Sequence, residues 1–169
     1  RTCNPPDTVY AFQSGLGIAC LARASKPLGD PALLATARQV LAAWQSFVLP
    51  KSLCRDCLYF QTSGSANDAG RYVRNMNVFM AFGAANLGAA GDAEAMQIAR
   101  RAMASELAES ARGNQGYLGI LDPQWMKSKK EADRIENHAA SVAVLSMQMG
   151  NLLGDAKIAQ HAKKIWLEW

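Results

Sequence analysis

Three polar residues, Glu136, Asn137 and His138, open a run from Arg134 to Asp155 that is otherwise apolar almost to its end. Polar groups at the mouth of a helix with hardly any polar side are placed to line a cleft. An imidazole near its reference pKa can accept a proton at neutral pH, and amides can both donate and accept hydrogen bonds. A second group, "YVRNMN" at 72–77, offers a phenol, a guanidinium and two amides in Tyr72, Arg74, Asn75 and Asn77. Tyr117 and Trp125, in "GNQGYLGILDPQW", are rings of the kind that stack on sugars. Each of these residues also has a structural use. Asn137 is a natural N-cap, Glu136 is comfortable beside a helix start, and Asn75 and Asn77 can cap in the same way. Arg74 can pair with a surface carboxylate, and Tyr117 and Trp125 can anchor a loop on the core. His161, the only other histidine, lies among lysines and reads as a surface residue.

Other chemistries find no support. There is no Ser-His-Asp order, phosphate loop, dinucleotide glycine fingerprint or metal-binding histidine pair, so no cofactor and no metal are expected. The carboxylates near the proposed mouth, Glu136, Asp68 and Asp122, have no spacing that supports a two-acid glycosidase. The cysteines are Cys3, Cys20, Cys54 and Cys57, an even number that allows three pairings. "CRDC" supplies one close pair, and no second pair or histidine cluster completes a zinc set. A redox role for Cys54 and Cys57 is conceivable, although a thioredoxin-like motif needs a βαβ setting and none is visible. The sequence opens on Arg1 and not on a methionine, as if an earlier segment had been removed, and together with the four cysteines this points to an oxidising compartment, periplasmic or secreted. The net charge of +4 favours acidic partners weakly and does not diagnose nucleic-acid binding. "KSKK" at 127–130 reads as a solvated face that could meet an acidic polymer. The stretch from His138 to Gly154 falls short of the ~20 apolar residues that cross a bilayer, so no transmembrane segment is expected.

The elements that must position these groups emerge from a repeat. Three "GD" pairs stand at Gly29-Asp30, Gly91-Asp92 and Gly154-Asp155, about 62 residues apart. Seven residues after each aspartate comes alanine (Ala37, Ala99, Ala162), followed each time by a basic residue (Arg38, Arg100, Lys163). Glycine closes a helix in the left-handed conformation and aspartate caps the next, so each unit reads as a helical hairpin. The hairpins span about 8–49, 75–112 and 137–169. The second helix of the first unit carries an apolar stripe, Leu33, Leu34, Ala37, Val40, Leu41 and Trp44, at helical spacing. The first helices, such as "VFMAFGAANLGAAG", are apolar or small nearly all round and predict burial on several sides. The 169 residues therefore predict a single all-α domain of about three helical hairpins in two layers. All "GD" turns share one end, so the two connectors of about 25 residues fall at the other, where Asn75 and His138 stand at matching positions of neighbouring inner helices. Connectors of that length are usually functional or mobile.

The pattern resembles the (α/α) toroid proteins, the architecture of many polysaccharide lyases and six-hairpin glycosidases. Its carriers are the three "inner helix, GD, outer helix" units, Asn75 and Asn77 in "YVRNMN", and "ENHA" at 136–139, which is similar to the Asn-His element that opens an inner helix in alginate-lyase-type enzymes. With room for about three hairpins, the resemblance implies a partial toroid. It also implies β-elimination on an acidic sugar, with Arg74, Asn75 and Asn137 neutralising the carboxylate, His138 as base, and Tyr72 or Tyr117 protonating the leaving oxygen. Asn77, Trp125 and Glu136 would complete substrate binding. The expected function is binding of an anionic polysaccharide outside the cytoplasm, with cleavage as a further step. The alternative is a periplasmic protein-binding inhibitor of the immunity type, without catalysis, for which the terminal "IWLEW" with Trp166 and Trp169 would suit a partner surface. A third reading is a structural helical repeat segment of a larger protein. The sequence leaves oligomeric state and the identity of glycan or protein partner open.

Overall fold

The computed structural model describes residues 5–114, 119–121 and 137–168. Its described residues form six α-helices in three hairpins: α1 (Ala11–Leu28) with α2 (Ala32–Trp44), α3 (Arg74–Ala89) with α4 (Ala93–Ala111), and α5 (Asn137–Leu153) with α6 (Ala156–Glu168). The chain is all-α. Two isolated antiparallel bridges, Tyr10 to Ser63 and Val48 to Phe60, are the only extended pairings among the described residues.

The "GD" repeat is a repeat of turn geometry. Gly29, Gly91 and Gly154 all have positive φ (63°, 105° and 61°), which a side chain would strain. The amide of the following aspartate then reaches back to the carbonyl five residues earlier: Asp30 to Ser25 at 3.0 Å, Asp92 to Leu87 at 3.3 Å, and Asp155 to Gly150 at 2.9 Å. Each aspartate Oδ1 in turn accepts an N–H from the first turn of the next helix, Ala32, Ala95 or Lys157, at 2.9 Å. Both otherwise orphaned ends are satisfied by two adjacent residues, which is why the dipeptide suffices as a hairpin signal.

The helices form two layers. α3 packs between α1 and α5 in an inner row, and α2, α4 and α6 each lie against their own hairpin partner. α3 is buried nearly all round, as its sequence predicts, and includes Val78, Met80, Ala84 and Leu87 with no exposed surface. α1 meets it backbone to backbone. A Cβ on Gly15 would stand 2.2 Å from the Phe79 carbonyl oxygen, and one on Gly83 would stand 2.5 Å from the Gly15 oxygen. The outer helices bury one stripe only; in α2 this is Ala37, Leu41 and Trp44.

The first connector is packed rather than loose. Leu58, Tyr59 and Phe60 are buried. Asn77 accepts from the Phe60 amide at 2.9 Å and donates to the Leu58 and Ala102 carbonyls at 3.3 and 3.2 Å. A Cys54–Cys57 disulfide closes a tight turn in the same connector. Among the described residues, no helix is long and apolar enough to cross a membrane.

Candidate functional site

At the end of the bundle away from the "GD" turns, α3, α4 and α6 bring charges together inside the protein. Arg74 begins α3 and donates through Nε and Nη2 to both oxygens of Glu106 on α4, with Nε to Oε2 at 3.1 Å. Its Nη1 donates to the Asn114 carbonyl at 2.5 Å. His161 on α6 sits with Nε2 3.1 Å from Glu106 Oε1. One turn along α4, Glu109 accepts from Asn114 Nδ2 at 2.6 Å and from the Ile120 amide at 2.9 and 3.1 Å. Glu106 and Glu109 have no exposed surface, and Arg74, Asn114 and His161 have 6–7%.

The electrostatics follow from that burial. Burial alone would push the Glu106 carboxyl up, but Arg74 and His161 outweigh it and hold it below the usual carboxylate range. Burial likewise opposes the Arg74 cation, and the adjoining Glu106 carboxylate more than compensates. Glu109 faces no such cation at contact. Burial pushes its carboxyl up, and the bonds from Asn114 and Ile120 offset only part of the rise. Tyr72 is fully buried with its ring edge-on to Tyr59, at 4.7 Å between centroids. Burial, with Glu106 and Glu109 nearby, raises its phenol well above the ordinary value. The cluster ties helices and connectors together; its polar atoms point at one another.

The other assembly is open to solvent. Nine residues, or two and a half turns, separate Asn77 from Asn86, so they lie on opposite faces of α3. Asn77 faces α4; Asn86 faces away from the outer layer. There Arg23 of α1 donates from Nε to Asn86 Oδ1 at 2.6 Å and from Nη2 to Gln148 Oε1 of α5 at 3.3 Å, with its guanidinium 5.0 Å over the Phe82 ring. One exposed arginine thus spans all three inner helices. Towards the connector end, Phe12 stacks edge-on against Phe79 at 6.2 Å. Leu16 lies four residues after Phe12 and Cys20 four after that, on the same side of α1 as Arg23. Leu16 is 39% exposed, and Val144 and Met147 of α5 are 48% and 49% exposed. Cys20 is an exposed free thiol.

The placement of the sequence candidates divides them. Tyr72, Arg74 and Asn77 come together, but inside the core, where Asn77 organises the first connector and Arg74 pairs with Glu106. The expected surface pairing of Arg74 is corrected to a core ion pair, because its partner is presented by α4 and not by solvent-facing side chains. Asn75 is half-buried, and neither it nor Asn77 caps α3, whose N-cap is Val73. Asn75 and His138 are the second residues of α3 and α5. The Arg23 bridge from Asn86 to Gln148 joins points eleven and ten residues further on. The side chains of Asn137 and His138, and all of Tyr117, Trp125, Glu136 and Trp169, lie outside the described residues.

Several residues escape the sequence reading. His161 is buried, not on the surface, and its position three residues after Ile158 on the apolar stripe of α6 is the signal that could have found it. Glu106 and Glu109 continue the buried Ala95–Ala99–Ala102 stripe of α4. Arg23 shares α1 with one other cation, Lys26 in its last turn. Compared with known proteins, the chain matches no family model and no curated sequence.

Proposed function

We propose that the chain is a non-catalytic binding domain whose open inner face receives a protein partner carrying an acidic group opposite Arg23, as an inhibitor or escort would. The observation that carries this reading is the fixed arginine beside an apolar row that none of the described outer helices covers. Arg23 is held by Asn86, Gln148 and Phe82, so little freedom remains for it to lose on binding. Phe12, Leu16, Phe79, Val144 and Met147 supply the apolar area from which interface centres are made, and aromatic residues and arginine dominate such centres. The burial of Tyr72, and of Arg74 against Glu106, supports binding over the expected elimination chemistry. The Cys54–Cys57 disulfide supports a periplasmic or secreted setting for this encounter.

A second reading, an acidic polysaccharide on the same face, with cleavage by β-elimination, draws on the same arginine, because a cation flanked by aromatic rings and amides also suits a uronate sugar. The test separates them. Wild type, Arg23→Glu, Val144→Glu and an outer-layer control, Gln39→Glu, are tagged and used to isolate partners from the periplasmic and secreted fractions, with binding confirmed on the purified protein. A stoichiometric protein retained by wild type and Gln39→Glu but lost by both inner-face variants is expected. Retention of that partner by Val144→Glu would overturn the proposal. So would binding of uronic-acid polymers, lost in Arg23→Glu, with no protein partner.

A further inference from the structure

We propose that Cys54 and Cys57 form a thiol–disulfide exchange site for an external dithiol, independent of the inner face. Four observations lead there. First, the bridge joins residues three apart. Loop-closure stabilisation grows with the length enclosed, so this is among the weakest staples a chain can make. Second, the two sulfurs are unequal. Cys57 is 3% exposed, whereas Cys54 is partly open to solvent. An incoming thiolate therefore meets Cys54 first. Third, the approach is electropositive. Arg55 follows Cys54 and is exposed, Lys51 lies just upstream, and Arg112 donates from Nη2 to the Leu53 carbonyl at 3.0 Å; Asp56 is the one carboxylate within the motif. Such surroundings attract an incoming thiolate. Fourth, the turn has supports besides the S–S bond. The Cys57 amide donates to the Cys54 carbonyl at 3.2 Å, and Ser52 Oγ donates to the same carbonyl at 2.6 Å. Leu49 and Tyr59 pair through their backbone at 2.8 Å, and Leu58 is held by Ser105 at 2.8 Å. The Cys57 side belongs to a buried cluster with Tyr59 and Tyr72, which holds that end of the turn in place. The site can thus open and close without dismantling the connector.

The exchange balances as follows. A thiolate of the dithiol attacks Cys54 Sγ, the Cys54–Cys57 bond breaks, and its electron pair leaves on Cys57 Sγ, which takes up a proton. The resulting mixed disulfide is attacked by the second sulfur of the dithiol, which expels Cys54 as a thiolate that is then protonated. The dithiol ends as a disulfide and both cysteines as thiols; the reverse run oxidises a substrate dithiol.

To test this, the free thiols of the native protein are first alkylated, and the protein is then treated with reduced glutathione, acid-quenched and mapped by mass spectrometry. Glutathione is expected on Cys54 in at least ~10-fold excess over Cys57, following the difference in access. Dithiothreitol should reduce the bridge completely with the helical circular dichroism unchanged, and oxidised glutathione should restore it. Reduction only in denaturant, equal labelling of both cysteines, or loss of helix on reduction would each overturn the proposal and leave a structural bridge. A Cys57→Ser variant that retains helical dichroism, treated with oxidised glutathione and without prior alkylation, should accumulate the Cys54 mixed disulfide as the Cys54 thiolate displaces one reduced glutathione, and its failure to do so would count equally against it.

Discussion

His161 Nε2 on α6 stands 3.1 Å from Glu106 Oε1 on α4, the same oxygen that faces Arg74 on α3. A single buried carboxylate therefore joins the second hairpin to the third. Removing it differs from removing the histidine. Glu106→Ala leaves the Arg74 cation buried without its carboxylate, at a cost of about 3–5 kcal/mol. His161→Ala removes one hydrogen bond to a charged group, about 1.5–3 kcal/mol. Urea unfolding followed by circular dichroism should rank the two in that order, with the double variant close to Glu106→Ala alone because the contacts share one acceptor. A histidine variant as damaging as the glutamate variant would place the weight on α6 packing instead.

Glu106 and Glu109, one turn apart, respond to pH in opposite directions. Glu106 is held below the usual carboxylate range, so the stability it contributes is present above the unfolded pKa and is lost as pH falls through its folded value. Burial raises Glu109, so its contribution is greatest in acid and is lost as pH rises from the unfolded pKa through its folded one. Melting temperatures recorded between about pH 3 and pH 8 should show Glu109→Gln gaining on wild type as pH rises through and above the usual carboxylate range. Glu106→Gln should fall behind wild type near neutrality and converge with it in acid. Parallel curves for Glu109→Gln and wild type would mean that the carboxyl does not change its proton affinity on folding.

The three turn aspartates invite a comparison within one molecule. Asp30→Ala and Asp155→Ala each remove one capping bond and should cost about 1 kcal/mol. Asp92 caps Ala95 and also receives Arg38 Nε at 2.6 Å, which links the first hairpin to the second. Asp92→Ala should therefore cost more, by the ~0.2–1 kcal/mol that a partly exposed ion pair contributes. Arg38→Ala should abolish that difference. If all three aspartates weigh the same in chemical denaturation, the Arg38 contact contributes nothing to stability.

Much of the architecture was legible before any coordinates. Gly-Asp at Gly29, Gly91 and Gly154 specifies both a left-handed stop and a cap through interactions no more than five residues away, so local sequence suffices. The difference between α3, apolar on every side, and α2, with Ala37, Leu41 and Trp44 on one stripe, follows from solvent exposure acting at helical period. The candidate site was less legible. Arg74 looked like a ligand-binding cation because an exposed and a buried arginine have the same letter; its fate depends on Glu106, 32 residues away.

What the sequence by itself determined is thus everything whose cause is local: an all-α chain, three hairpins, their turns, and which helix of each pair lies inside. What only the tertiary structure decided is which charges are sealed and which are offered. Glu106, Glu109 and His161 lie on the apolar stripes of α4 and α6, and packing carries them into the core, where polar groups persist only with partners to bond. Arg23 stays on the open side because none of the described outer helices packs there, and Asn86 and Gln148, 63 and 125 residues distant, fix its direction. Charge energetics depends on distance and dielectric, and both are set only when separate helices meet.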